Sequence, residues 1–483
     1  MIVPTLGSAS TWIATLEPWR DSDDIAVITH GENVTGRGMF DLAGRAARWL
    51  DDIGAGAGVI PALVTASGRT IALTVAGAGS GRPLALIAPR HTPRELAACI
   101  EQHNAPMVIC EAAFAESAAA ACAAVGRRLV VIPEVLPLAS VPVSLDADVD
   151  DIVVVLHTSG TTGIPKPVPV RQDRLLGRCR INAKFMGIVP GARFAAAPPY
   201  YHVAGFGMVG MALAAGASVV TVEHFDVPTY RSLEPLDVTH VALVPTMISI
   251  LERDGQLQLP KLKMMQYGAA PMPADLLARV MELLSGVDLV TFYGQTEGTP
   301  ITSLSGDDHR VCAAGRPDLL LSVGRPVPGT EVRIADPDAS GVGEILARGP
   351  HLFRPSDDGW LHTGDLGRLD DEGYLFLVGR KGDMIIRGGE NIYPAEVEAV
   401  LERHRSVVEC AVVGQSDAHW GEVVAAFVVA SGSVSQRPTP DELRAFCRAE
   451  LAGFKVPTRW EFVDHLPRNP TGKLLRRELL TLL

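Results

Sequence analysis

The sequence has no excess of basic residues: 43 Lys and Arg stand against 55 Asp and Glu in 483 residues, a formal net charge of −12. A negative field of that size repels a phosphate backbone and excludes duplex nucleic acid as a partner. No CxxC pair occurs among the seven cysteines, at 99, 110, 122, 179, 312, 410 and 447. An odd set without that pairing argues against a disulfide framework and a cysteine metal site, and suits a reducing, cytoplasmic setting. The opening residues, MIVPTLGSASTW, lack a basic start and contain an early proline, so no secretory signal is expected. There is no internal repeat and no low-complexity tract. The one uncharged apolar run long enough for a bilayer, Val203–Val222, holds Gly205, Gly207, Gly210 and Gly216 and ends in β-branched ASVVTV. A buried helix followed by a buried strand is expected there, not a membrane span.

What is present is core-forming material. Hydrophobic residues make up 47% of the chain and charged residues 20%, enough for two to four compact units at this length. From about residue 150, apolar runs alternate with helical patterns: DIVVVL, VTHVALVP then TMISILERD, LKMMQYG then MPADLLARVMELLS, and VDLVTFYG. Strand–helix–strand alternation at this spacing predicts parallel βαβ units with both sheet faces covered. The expected class is α/β: a large N-terminal domain, residues 1–379, of parallel-rich sheets flanked by helices. A small α+β C-terminal domain, residues 380–483, follows. Its pattern predicts a helix over 395–403, strands over 407–413 and 423–429, a helix over 441–451 and a strand over 460–463. In parallel sheets the ligand crevice lies outside the carboxyl ends of the strands. Three turns fall at such ends, TSGTTG, YGAAP and YGQTE.

The first of these turns belongs to LHTSGTTGIPKPV, residues 156–168. Glycines let backbone N–H groups approach oxygen atoms closely, Thr158, Ser159, Thr161 and Thr162 add hydroxyls, and Lys166 adds a charge. That composition suits a phosphate cradle or an ordinary Gly/Ser/Thr turn. It is not a Walker loop, because GK[ST] is absent at the required spacing. The glycine clusters GAGAG and GAGSG do not spell a dinucleotide fingerprint and read as turns.

Five motifs occur in order: TSGTTGIPK, YGQTEG, GWLHTGDLG, GRKGDMIIRGGENIYPAEVE and NPTGKLLRREL. With them the chain resembles the adenylate-forming superfamily, nearly over its whole length, and the tail DAHWGEVVAAFVV is closest in character to the acyl-CoA synthetase branch. The resemblance implies a mobile C-terminal domain over one cleft and an acid–thiol ligase using ATP, CoA and magnesium. It assigns Thr158, Ser159, Gly160, Thr161, Thr162, Gly163 and Lys166 to the phosphate loop. Gly268, Ala269 and Ala270 become the wall beside adenine, and Tyr293, followed by Gly294 and Gln295, the aromatic that stacks on it. Thr296 becomes an α-phosphate donor and Glu297 the magnesium ligand. Asp365 and Arg380 would hold the ribose, Lys473 would bridge substrate carboxylate and α-phosphate, and Gly388 and Gly389 would line the pantetheine tunnel. His202 would gate the acyl site or simply pack in the core, and the same choice applies to Tyr200, Phe206 and Met211.

Two positions depart from the family pattern. Pro167 stands where glycine usually follows the loop lysine, and Gly382 stands where the hinge usually carries Asp or Lys. Proline removes a backbone N–H and stiffens the end of the loop, and glycine removes a side-chain lock from the hinge. The expectation is therefore an acid–CoA ligase whose adenylation half is slow or lost. Two other roles fit the same motifs. One is acyl transfer to a carrier protein's phosphopantetheine, with a partner ligase as a source of acyl-AMP. The other is non-catalytic binding of acyl-AMP or nucleotide.

Overall fold

The computed structural model describes residues 6–29, 31–158, 165–352, 356–431, 437–468 and 474–482. Two compact units emerge. One contains Met1–Glu331 and Arg348–Leu361, and the other Val332–Ala347 and His362–Leu483.

The first unit is built on two sheets. One has nine strands in the order Arg325–Pro326, Gly298–Leu304, Asp288–Gln295, Met264–Gly268, His240–Leu243, Arg193–Ala196, Ser218–Thr221, Ile25–Thr29, Glu32–Thr35. From Asp288–Gln295 to Ile25–Thr29 the neighbours run parallel, and the strands outside them are antiparallel. The other has six, in the order Arg128–Val131, Met107–Cys110, Ile60–Leu63, Leu84–Leu86, Ile152–Thr158, Lys166–Arg171, with only the last pairing antiparallel.

The layering follows from the sequence. Strands such as Ile60–Leu63 and Met107–Cys110 are apolar throughout and buried at every position, and His240–Leu243 is buried at every position as well. That is the pattern of parallel strands covered on both faces. Val27, Phe194 and Val219 of the larger sheet share one core with Ala62, Leu84 and Val154 of the smaller. Filling that core are Met39 and Leu50 of helix Gly36–Asp52, Ile71 of Gly68–Ala78, Leu175 of Gln172–Phe185 and Phe206 of Val203–Ala214. The far face of the larger sheet packs Leu243 and Met265 on Ile248, Leu251 and Leu277. The far face of the smaller packs Leu63 and Val108 on Leu96, Cys99 and Ala118. The order of layers is helix, sheet, helix, sheet, helix.

The apolar run resolves as read: a helix, Val203–Ala214, then a strand, Ser218–Thr221. Among the described residues no helix is long and apolar enough to cross a membrane. All seven cysteines are free and buried.

The second unit holds an antiparallel ribbon, Leu361–Leu369 with Leu375–Arg380, in the four-stranded sheet that also contains Glu331–Ala335 and Gly343–Arg348. A second sheet pairs Val407–Asp417 with Gly421–Ala430, and Arg459–Phe462 lies parallel to the latter. Helices Pro394–Leu401 and Pro440–Glu450 contribute Val397, Val400, Leu443 and Cys447 to its core. These elements match the tail pattern within a few residues. The compact unit also reaches back to Val332, because the ribbon pairs Asp365 with Arg380 and Lys381 Nζ donates to Glu344 Oε2 at 2.8 Å.

Candidate active site

Parallel pairing puts two of the expected nucleotide segments side by side. In strands Met264–Gly268 and Asp288–Gln295, Gly268 stands opposite Phe292. The chain leaves the first strand through Ala269, whose φ of +68° lies in the left-handed region, so the exposed Ala269 and half-buried Ala270 emerge beside the strand that carries Tyr293. Tyr293 itself is 8% exposed.

Beyond Tyr293 the strand folds straight back. Gln295 pairs with Gly298, which leaves Thr296 and Glu297 as the two residues at a hairpin tip. Gly294 is required by this close return: a Cβ there would stand 2.5 Å from Gly298 O and 2.8 Å from Thr299 Cβ. Tyr293, Gln295, Thr296 and Glu297 are therefore carried on one short ribbon at the carboxyl edge of the large sheet.

The smaller sheet reaches the same place. Thr158 ends strand Ile152–Thr158, and its Oγ1 donates to Glu297 Oε1 at 3.5 Å, across 139 positions of sequence. Ser159, Gly160, Thr161, Thr162 and Gly163 lie outside the described residues, as does Lys473. Lys166 stands opposite Thr158 as the first residue of the antiparallel partner strand and is exposed. Pro167 stands opposite His157 in the same stem. That strand is the sheet's edge, where prolines at 167 and 169 are tolerated. The stiff Pro-Lys-Pro stretch is thus part of a β-stem. Gln102 Nε2 holds its start, donating to Pro165 O at 2.9 Å.

Beneath this stem sits a pair of neutral histidines. His157 Nδ1 lies 3.2 Å from Leu86 O, so it carries the proton, and Nε2 accepts from His103 Nε2 at 3.1 Å. Burial pulls both imidazoles down to about 4. His202 is the N-cap of helix Val203–Ala214. Its ring lies 4.7 Å from that of Tyr201. Burial, with a smaller push from His91, lowers it to about 4, and its Nε2 is buried without a partner. Tyr200, Phe206 and Met211 are core residues: Tyr200 Oη lies 3.0 Å from Thr74 Oγ1, its ring meets Phe206, and Met211 has no exposed surface.

The second unit carries the remaining candidates. Asp365 and Arg380 face each other across the ribbon and form an ion pair of 2.6 Å from Nε to Oδ1. The Asp365 side chain is 12% exposed and that of Arg380 41%, so the carboxylate is held and the arginine is open to water. Gly382 has open space where a Cβ would sit. Gly388 and Gly389, at φ +59° and +90°, form the two-residue turn between Ile385–Arg387 and Glu390–Ile392. A Cβ at Gly388 would lie 2.9 Å from the Trp420 ring.

Sequence reasoning did not find His103, Gln102 or Arg178, a buried arginine on helix Gln172–Phe185. Only for Arg178 was there a local signal, its place on the face that also carries Leu175 and Asn182. As for a metal, no group of three or more His, Cys, Asp or Glu among the described residues is arranged to hold one. A single carboxylate beside a hydroxyl, Glu297 with Thr158, is a hard oxygen set. It fits magnesium, which takes most of its ligands from phosphates and water.

Comparison with known proteins is consistent across the chain. The AMP-binding enzyme family matches residues 18–355, and the AMP-binding enzyme C-terminal domain matches residues 396–473. A 2-succinylbenzoate–CoA ligase of Bacillus mycoides is 35% identical over 364 residues, 71% of this chain and 73% of the relative. A (methyl-dioxo-octahydroindenyl)propanoyl:CoA ligase of Rhodococcus jostii is 38% identical over 348 residues, 68% of this chain and 65% of the relative. The o-succinylbenzoate CoA synthetase of Bacillus subtilis, solved with its acyl-adenylate intermediate, superimposes with a TM-score of 0.85 at 27% identity over 98% of both chains.

Proposed function

Because the chain belongs to the AMP-binding enzyme family, in the acyl-CoA ligase branch of the adenylate-forming enzymes, we propose that it joins a ring-bearing carboxylic acid to CoA through an acyl adenylate. The observation that carries this is the convergence of Thr158 on Glu297, which brings the stem of the phosphate loop to the hairpin that holds Tyr293. The two curated relatives act on acids whose names describe a ring with further oxygens.

In the first step a carboxylate oxygen attacks the α-phosphorus of ATP. The bond to the bridging oxygen breaks and pyrophosphate leaves. In the second, the CoA sulfur attacks the acyl carbon, the bond to the AMP oxygen breaks, the thiol proton passes to solvent and AMP departs. Activation is needed because a carboxylate by itself has only oxide to expel.

This chain's residues divide the work. Tyr293 and the Gly268–Ala270 turn flank the base. Thr296 donates to the α-phosphate, where charge builds. Lys166 enters the phosphate loop from a fixed stem, and Lys473 bridges the carboxylate and the α-phosphate. Asp365 accepts from the ribose hydroxyls beside Arg380. His202, kept neutral by burial, borders the acyl group without placing a charge there. Glu297 would hold magnesium, which neutralises phosphate charge. Gly388 and Gly389, the turn between Ile385–Arg387 and Glu390–Ile392, would line the pantetheine. Slow adenylation is the finer part of the proposal. What supports it is Pro167, which locks the residue after Lys166 into the stem and limits how far the lysine follows the loop.

The test is a panel of aromatic and polycyclic acids, 2-succinylbenzoate among them, scored for ATP–pyrophosphate exchange and for CoA thioester. Thioester from at least one acid is expected. CoA and a phosphopantetheinylated carrier are compared as acceptors, and a chain that uses only the carrier refutes the ligase assignment. Exchange as fast as thioester capture from supplied acyl-AMP refutes the slow-adenylation part alone.

A further inference from the structure

Arg178 is a buried cation without a counter-ion. It is 2% exposed, and burial lowers its guanidinium to about 10, which leaves it charged at neutral pH. Among the described residues it forms no ion pair, and its one hydrogen bond runs from Nη2 to Val203 O at 2.8 Å. Nε is buried with no partner. The stretches outside the description, 1–5, 30, 159–164, 353–355, 432–436, 469–473 and 483, contain no aspartate or glutamate, so no acidic side chain is hidden there.

The surroundings add positive potential instead of cancelling it. The guanidinium lies against the first turns of helix Val203–Ala214, whose N-terminus carries partial positive charge. Gly207 on that helix makes the approach possible: a Cβ there would stand 2.6 Å from Arg178 Cζ. The N-cap just before Val203 is His202, with its buried and unpartnered Nε2. Isolated buried charges are strongly unfavourable, and a native chain keeps one where an anion meets it.

We propose that Arg178 is the counter-charge for a second carboxylate on the acid substrate, remote from the one that is activated, and that it makes the enzyme selective for dicarboxylic acids. This rests on the ligase reading. The reacting carboxylate does not fit the role, because it loses its charge in the adenylate and the thioester and would leave the guanidinium unpaired for the rest of the cycle. A spectator carboxylate stays charged throughout. In this proposal Arg178 sets specificity from beside the His202 cap of helix Val203–Ala214.

The experiment compares diacids with matched monoacids and half-esters: 2-succinylbenzoate against 4-oxo-4-phenylbutanoate, and ω-dicarboxylates against their monomethyl esters. Wild type, Arg178→Met and Arg178→Lys are assayed for kcat/KM of thioester formation. Wild type should favour the best diacid over its partner by about tenfold to a hundredfold, the range of one charge-assisted contact. Arg178→Met should lose that preference, dropping on the diacid while staying within about threefold on the monoacid, and Arg178→Lys should recover part of it. Equal losses on both members of each pair, or no diacid preference in wild type, would overturn the proposal. Thermal shifts on wild type guard against a variant that does not fold: the diacid should raise Tm more than its half-ester, and equal shifts count against Arg178. Failure to make thioester from any acid defeats the ligase reading itself, whereas thioester from half-esters without a diacid advantage defeats only this inference.

Discussion

Replacing Gly294 with alanine tests whether the Gln295–Gly298 hairpin places the catalytic groups. The added Cβ would sit 2.5 Å from Gly298 O, 2.8 Å from Thr299 Cβ and 2.9 Å from Thr299 Cα. Ordinary contact begins near 3.4 Å, so the return strand must move by about 0.9 Å. The atoms in the way are mostly backbone, so no side chain can rotate aside. Thr296 and Glu297 sit on the tip and move with the ribbon. A misplacement near 1 Å costs about a hundredfold in rate, while overpacking of this kind costs about 1–3 kcal/mol of stability. The expected result is a hundredfold fall in ATP–pyrophosphate exchange with a folded protein and a Tm lowered by a few degrees. Gly453→Ala, where a Cβ meets open space, is the control and should change neither. Exchange at the wild-type rate in Gly294→Ala would refute the reasoning, since Thr296 and Glu297 could then act from a displaced hairpin.

Asp365→Asn removes the charge of a carboxylate held by Arg380 and should weaken ATP binding about tenfold to a hundredfold, measured as KM for ATP in the exchange assay. Pro167→Gly frees the residue after Lys166 and should raise the exchange rate by about tenfold or more, and an unchanged rate removes Pro167 as the cause of slow adenylation. Acid should destabilise the fold with a definite sign. His103, His157, His202 and His240 are pulled from an ordinary 6.5 to about 4 by burial, so the unfolded chain binds protons first. Stability is unaffected by them above pH 6.5 and falls as pH drops from 6.5 towards 4, by at most about 1.4 kcal/mol per pH unit for each histidine. Urea midpoints at pH 7.5 and 5.5 measure it, and equal midpoints would contradict neutral burial of these rings. Lys473→Ala should lower adenylation about a hundredfold, as loss of an oxyanion donor does, while sparing thioester formation from supplied acyl-AMP.

Much of the architecture is legible in the sequence, for physical reasons that differ by element. Parallel strands such as Met107–Cys110 are buried on both faces, so they write themselves as continuous apolar runs. Helix Pro440–Glu450 is announced by Thr439 and Glu442, whose side chains form a capping box. The nucleotide segments were legible because TSGTTG and YGQTE both end strands. Contacts between distant segments were not. Nothing in the local sequence says that Thr158 meets Glu297, or that His103 donates to His157. Arg178 shares a helix face with Leu175 and Asn182, yet that face alone does not separate it from the other arginines of the helix, and its burial without an ion pair among the described residues does. In the sequence Pro167 looks like a feature of the loop, yet it belongs to an edge strand, where the missing N–H is tolerated.

The burial of all seven cysteines carries a chemical consequence. An acyl adenylate acylates whatever sulfur nucleophile reaches it. Burial raises the thiols of Cys99 and Cys179 to about 12 and those of Cys110, Cys312 and Cys447 to about 11, and it pushes Cys122 and Cys410 up as well. The protein's own sulfur is therefore protonated and shut away, and the thiol arriving with pantetheine meets no internal competitor for the activated acid.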